Sequence, residues 1–412
     1  MSNADAPGNS NPEAGAPGGG PLAGIRILDI GSMVAAPLAA GVLADQGAEV
    51  IKVEPPGFGD LMRYVGANRN GVSALFQNVN RGKRSIALDL KQPEGLAVLQ
   101  RMITGVDVIL HNFRPGVAER LGVDYATLAA LNPELIYLSV TGFGHSGPMA
   151  GKAAYDNVVQ AFAGVALSQP ELGTGEPAQY QQLFADKLTA LYASQAITAA
   201  LLARERGAGG QHIQLAMVDA VASFLWADVA GTAGFKDEGA DPGMQVSKGV
   251  PLLKFRNGYA QAAPVSDANF HGWCAAFGVD SDDPRLASIM QRNANRDAVA
   301  EVSQQVFARA LELDVDETIA KLEAADVPCA KAYSLEELPE HPQMQANGLF
   351  VNTGHPQAGK LVEPKTPANF SATPAGCGFP SAALGAHGEE ILAELGFSED
   401  EIQSLRERNT IG

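Results

Sequence analysis

The chain has 412 residues, and only three of them are cysteines (Cys274, Cys329, Cys377), set far apart with no CxxC pair. That usage excludes a disulfide framework and a zinc knuckle, and it fits a reducing, cytoplasmic setting. Seven histidines are scattered without an HExxH or HxxH pair, so no metal site is expected. There is no GxxxxGKS loop and no GxSxG elbow, which removes the P-loop and serine-hydrolase readings. Where a dinucleotide fold would carry GxGxxG after its first strand, this chain reads GSMVAAP. Positive charge is scarce: 29 Lys and Arg stand against 46 Asp and Glu, a net charge of −17. Nucleic acid and anionic membrane are therefore poor partners, although a local basic pocket remains open. The longest charge-free run, 188–203, contains Thr, Tyr, Ser and Gln, is short for a membrane span and reads as a core helix. Residues 1–20 (MSNADAPGNSNPEAGAPGGG) have neither the basic start nor the apolar core of a secretory leader, and they read as a flexible tail.

What is present is an α/β pattern with material for a large core, 46% hydrophobic and 18% charged. IRILDI (25–30) and VIKVE (50–54) are apolar strand runs joined by the helical MVAAPLAAGVLADQGAE, a strand–helix–strand unit that predicts a parallel sheet. VDVILHN (106–112) and LIYLSVTGFG (135–144) repeat the pattern, closing in the loops NFRPG and GHSGP. Ligands of open parallel sheets gather at such loops, beyond the carboxyl ends of the strands. HIQLAM (212–217) is a further strand and DAVASFLWADVAG a further helix. Past residue 231 the texture changes. LLKFRNGYAQAAPV predicts a hairpin around Asn257-Gly258, and RDAVAEVSQQVFARALE an amphipathic helix. The expected division is a tail (1–20), a large domain (21–230), a small domain (231–335) and a return to the large domain (336–412) that ends in one helix, GEEILAELGFSEDEIQSLRER.

Two carboxylates head apolar helices. Asp186 opens DKLTALYASQAITAALLARERG, and Asp156 follows the GHSGP loop in KAAYDNVVQAFAG. An Asp at a helix start is ordinarily a cap or first-turn acid, held by free amides and the helix dipole. Yet a carboxylate buried with an apolar helix costs several kcal/mol unless it is paired or used. Lys187 is an available partner for Asp186. Basic residues cluster in NRGKRSIALDL (Lys83, Arg84) and in HNFRPGVAERLG (Arg114, Arg120). Such charges are ordinarily solvated; beside sheet-end loops of an acidic chain they also suit a phosphate-rich ligand.

Six stretches, in order from about residue 22, resemble the family III CoA transferases, a group that includes formyl-CoA transferase, carnitine CoA transferase and α-methylacyl-CoA racemase. They are GIRILDIGSMVAAPLAAGVLADQGAEVIKVEPPGFGD, NVNRGKRSIALDLKQPEG, HNFRPGVAERLG, NPELIYLSVTGFGHSGPMAGKAAYD, FADKLTALYASQAITAALLARERGAGGQ and LPEHPQMQANGLF. The resemblance implies that Asp186 is a catalytic nucleophile. It attacks an acyl-CoA to give a mixed anhydride, then becomes an aspartyl-CoA thioester, with no metal and no permanently bound cofactor. Coenzyme A and acyl-CoA are substrates, and a small carboxylic acid is the acceptor. It also implies a CoA site of Ser32, Lys83, Arg84, Asn112, Phe113, Arg120, Tyr155 and Asp156. Ser32 stands where formyl-CoA transferase has a cofactor-contacting histidine, Val34 where it has a glutamine, and Asp156 where it has a glutamate. No counterpart of that enzyme's glycine-rich loop occurs near 245–260, so a formyl/oxalate specificity is not expected. The alternative is a racemase working through Asp156; the histidine it would need is missing from DYATLAALN, and His145 is the nearest substitute. The fold implied is a large Rossmann-like domain whose parallel sheet is formed by both chain ends, with a smaller inserted α+β domain. Two chains would close as interlocked rings, a homodimer.

Overall fold

Strand β1 (Arg26–Asp29) pairs in parallel with β2 (Glu49–Glu54) on one side and β4 (Val108–His111) on the other. With β3 (Lys83–Ala87), β5 (Ile136–Thr141) and β6 (Gln211–Ala216) they form a six-stranded, all-parallel sheet in the order β3-β2-β1-β4-β5-β6. This is a Rossmann-like α/β architecture. The computed structural model describes residues 19–171, 174–241 and 251–412. The expected tail lies mostly outside that set.

Alternation along each strand sends neighbouring side chains to opposite faces, so apolar residues at every position dictate burial on both. Ile27, Val50, Leu110 and Leu138 share one buried cluster with helices α1 (Ala35–Asp45), α2 (Asp156–Phe162), α3 (Phe184–Ala203) and α4 (Met217–Trp226). Leu28, Ile51, Ile86 and Ile109 face the helix at Pro93–Ile103 and the end of the chain. Fully burying each such side chain contributes roughly 1.5–3 kcal/mol. Alanines Ala36, Ala39 and Ala40 on α1 and Ala190 and Ala193 on α3 share one buried cluster, small side chains that let backbones approach.

Strands run outward from β1 to β2 and β3, then from β4 to β5 and β6. The order therefore reverses between β1 and β4. At a switch point of this kind the loops leaving the two strands part and open a crevice.

Two expectations are corrected. The sheet is not formed by both chain ends: its strands all lie between Arg26 and Ala216. The returning segment is too rich in Pro, Gly and Ala after 365 to make a sheet strand. It supplies a separate hairpin (Phe350–His355 with Gly359–Pro364) and two helices, α5 (Gly388–Glu394) and α6 (Glu399–Glu407), whose Ile391, Leu392 and Leu405 are buried. Those two helices replace the single one expected. Gly396 at φ +78° ends the first, and Ser398 starts the second in a capping box with Glu401.

Residues 19–241 and 345–412 make one compact unit and 251–344 a second, against expected borders at 231 and 335. In the second unit, Leu253–Phe255 and Gly258–Ala262 form a hairpin, extended by Cys329–Lys331 into a three-stranded antiparallel sheet. Its turn is Arg256-Asn257, and the Asn257 side chain accepts the N–H of Val315 at 3.0 Å, tying the hairpin to the helix Val315–Ala324. Part of the stretch scanned for a glycine-rich loop, up to residue 250, lies outside the described residues. No described helix is long and apolar enough to cross a membrane.

Candidate active site

Helix α3 starts at Phe184 with Leu183 as its N-cap, and no side chain caps it. Asp186 is thus a first-turn residue and does not cap. Its backbone N–H is instead taken by another acid: Asp156 Oδ2 accepts it at 2.9 Å. Asp156 opens helix α2 and is only 5% exposed. Its other oxygen, Oδ1, accepts Gln160 Nε2 at 2.5 Å. The two carboxylates therefore differ. Both oxygens of Asp156 are engaged, whereas no described residue donates to the carboxylate of Asp186. Lys187 does not pair with it, since its ammonium turns to Gln182 Oε1. Burial, followed by the charge of Asp156, pushes the pKa of Asp186 up to about 7. A carboxylate that is neither paired nor hydrogen-bonded, at a helix start, is an available nucleophile.

The switch point carries the second part. After β1 the chain turns through Gly31, Ser32 and Met33, and its backbone groups there are held from below. Asp29 Oδ1 accepts Gly31 N–H at 2.9 Å, and Lys52 Nζ donates to the Gly31 carbonyl at 3.1 Å. Asn112, just past β4, accepts Ser32 N–H at 2.9 Å and donates to the Ser32 carbonyl at 2.7 Å. Asp60 accepts Met33 N–H at 3.1 Å, which helps Met33 to keep a left-handed φ of +66°, uncommon for a residue with a Cβ. Asn112 thus spends its amide on bracing the loop that presents Ser32. Phe113, half-buried, stacks on His111 at 4.8 Å. Arg120 and Arg114 are exposed and make no ion pair among the described residues. Tyr155, at the N-cap of α2, is 61% exposed.

Lys83 and Arg84 depart from the expectation of a phosphate-holding pair. Lys83 is 1% exposed, and its ammonium is taken by Asp29 (2.9 Å), Asn80 Oδ1 (2.8 Å) and the Pro37 carbonyl (2.5 Å). Burial, opposed only in part by Asp29, brings its pKa down to about 8. It belongs to a buried charge network with Lys52, which lies 3.2 Å from Asp60 and 3.6 Å from Asp29. Arg84 is spent on Glu49 (2.9 Å) and Glu394 (2.7 Å). Neither offers a free cation.

Sequence reasoning passed over Gln160, Asp60 and Lys52. Their signals were present: Gln160 lies one turn beyond Asp156 on an apolar helix, and Lys52 interrupts a buried strand. His145, the substitute considered for a racemase, hydrogen-bonds Ser139 Oγ at 3.0 Å beside His212, and neither Asp156 nor Asp186 is among its partners.

A Rossmann-like sheet, with a carboxylate at a helix start that accepts from no described residue, makes a candidate active site on an α/β fold. The chain belongs to CoA-transferase family III, whose family model matches residues 22–388. It is 35% identical to the succinate–glutarate CoA-transferase of Agrobacterium fabrum over 389 residues, covering 91% of this chain and 96% of that one. It is 30% identical to the succinyl-CoA–D-citramalate CoA-transferase of Chloroflexus aurantiacus, covering 95% and 98%. Among solved structures, a CAIB/BAIF family protein from Brucella suis superposes with a TM-score of 0.79 at 32% identity, covering 92% and 100%.

Proposed function

We propose that this protein is an acyl-CoA:carboxylate CoA-transferase in which Asp186 is the covalent nucleophile. The observation that carries this reading is the inequality of the two acids: both oxygens of Asp156 are hydrogen-bonded, while the carboxylate of Asp186 accepts from no described residue. In the first step an Asp186 oxygen adds to the thioester carbonyl and CoA thiolate leaves, giving a mixed anhydride. The thiolate then attacks the aspartyl carbonyl, which frees the first acid and leaves an aspartyl-CoA thioester. An incoming carboxylate reverses both steps and departs as the new acyl-CoA. Thioester energy is kept throughout, so neither ATP nor a metal is consumed. The amides of Phe184, Asp186 and Lys187 in the first turn of α3 already have acceptors, so backbone donors of the surrounding loops stabilise successive oxyanions, and apolar walls protect the anhydride from water.

Arg120, with Arg114 near it in the same loop and helix, supplies free guanidinium groups for the CoA phosphates. Ser32, Phe113 and Tyr155 line the approach to the thioester. The relatives named for succinyl and glutaryl chemistry make short dicarboxylates the first donors and acceptors to assay. Two chains associate as a homodimer.

The test is chemical trapping. Incubation with succinyl-CoA followed by hydroxylamine should convert Asp186 to a hydroxamate on the peptide containing FADKL. Asp186→Asn should abolish transfer while CoA still binds. A label on Asp156, or a substituted enzyme that keeps substantial transfer, would show the wrong acid has been chosen.

A further inference from the structure

We propose that Gln160 is a positioning residue for the transfer reaction: it holds Asp156 against the Asp186 amide and so fixes the nucleophile. The proposal rests on the reading of Asp186 given above. Gln160 is 1% exposed and lies one turn beyond Asp156 on α2. Its Nε2 faces three acceptors: Asp156 Oδ1 at 2.5 Å, the Gln182 carbonyl at 3.1 Å and the Tyr180 carbonyl at 3.3 Å. Its Oε1 accepts Tyr180 N–H at 2.9 Å.

Only one orientation of the amide fits, because a flipped group would set Oε1 against three oxygens. One side chain therefore joins three things: the second carboxylate, the helix that carries it, and the irregular segment 180–182 that leads into α3. Asp156 in turn accepts the amide of Asp186. Displacing Gln160 would leave Asp156 Oδ1 without its donor and release residues 180–182 from α2, so the nucleophile would lose its reference from two directions.

The residue type is specific. Leucine would orphan buried acceptors, and asparagine is one methylene too short to span the same partners. Glutamate matches the shape but, when ionised, presents oxygen to oxygen. When protonated it can donate once to Asp156 and still accept Tyr180 N–H.

That difference supplies a readout that simple packing would not move. With succinyl-CoA as donor and glutarate as acceptor, Gln160→Leu should lower kcat roughly 10- to 100-fold, the value of one or two hydrogen bonds to a charged group. KM for succinyl-CoA should stay within about threefold, since the residue touches no substrate. Gln160→Glu should be impaired at about pH 8, and its kcat relative to unsubstituted enzyme should rise as pH falls toward about 6, as the introduced carboxyl protonates. Dividing by the unsubstituted enzyme cancels the Asp186 titration that the two share, and any extra rise of the Asp186 pKa caused by the added charge would lower the ratio toward acid pH, opposite to the expected trend. A ratio that stays flat with pH overturns the proposal, as does a Gln160→Leu enzyme with normal kcat. If the leucine variant fails to fold, the pH ratio of the glutamate variant decides. Absence of any hydroxamate in unsubstituted enzyme would instead refute the Asp186 reading, and this proposal with it.

Discussion

Asp156 Oδ2 lies 2.9 Å from the backbone nitrogen of Asp186, so one acid anchors the main chain of the other while repelling its side-chain charge. The anchoring costs nothing in reactivity, because it uses the Asp186 amide and not its carboxylate.

The repulsion sets a pH dependence. Burial and Asp156 raise the Asp186 pKa from an ordinary 3.8 to about 7. Attack needs the ionised form, so kcat should fall as pH drops through about 7. Asp156→Asn keeps an acceptor for the amide but removes the charge, and the acid limb should move down by roughly one unit or more. The same shift acts on stability. In the folded chain Asp186 holds its proton above 3.8 where the unfolded chain releases it, so its favourable contribution is complete below 3.8 and lost as pH rises through about 7. Asp186→Asn should therefore raise the melting temperature at pH above about 7 and leave it unchanged near the bottom of that window. A first-turn acid serving only the helix dipole would give the opposite, a less stable variant.

The arginines can be separated by binding. Arg120→Ala should weaken CoA by roughly 1–3 kcal/mol if its guanidinium holds a phosphate, with a salt-sensitive dissociation constant by calorimetry. Arg84→Ala should leave CoA affinity alone and lower thermal stability, because it removes one of the two arginines, with Arg26, that pair with Glu49 and Glu394. A CoA effect confined to Arg84 would invert the assignment.

Assembly is tested by the apolar face of α3. Leu191 and Leu202 are 56% and 52% exposed in the single chain. They line a groove of about 880 Å³ with Leu22, Leu38 and Phe370. A patch of this kind on one chain is expected to be covered. Light scattering should give a dimer at micromolar concentration, and Leu191→Glu with Leu202→Glu should shift it toward monomer. A stable monomer of the unsubstituted chain would remove the homodimer.

The strand–helix alternation was legible because its cause is local: IRILDI, VIKVE and LIYLSV are apolar at positions facing both ways, and they became β1, β2 and β5. The head of α3 was legible for the same reason, a carboxylate before a long uncharged run. What could not be read was which polar groups are already spent. Lys83 looks like a phosphate ligand until its partner, Asp29, arrives from 54 residues away. Asn112 looks like a ligand contact until Ser32 is found across the switch point, 80 residues earlier. Composition reports that a charge exists, and only the fold reports what neutralises it.

The return of the chain end has a consequence for biosynthesis. Ile391, Leu392, Leu405 and Ile411 close one face of the sheet, Ile411 bridging to Leu88, and Glu394 reaches Arg84 across 310 residues. While a ribosome is still translating the stretch before them, the helix Pro93–Ile103 covers that face only in part, and Ile51, Val53 and Ile86 are left partly open to any passing hydrophobic segment. Contacts so distant along the sequence form slowly. The nascent polypeptide is thus most dependent on chaperone shielding until residues 388–411 have emerged, and a stall or frameshift at about residue 380 should yield an aggregating fragment even though every strand of the sheet has already been made.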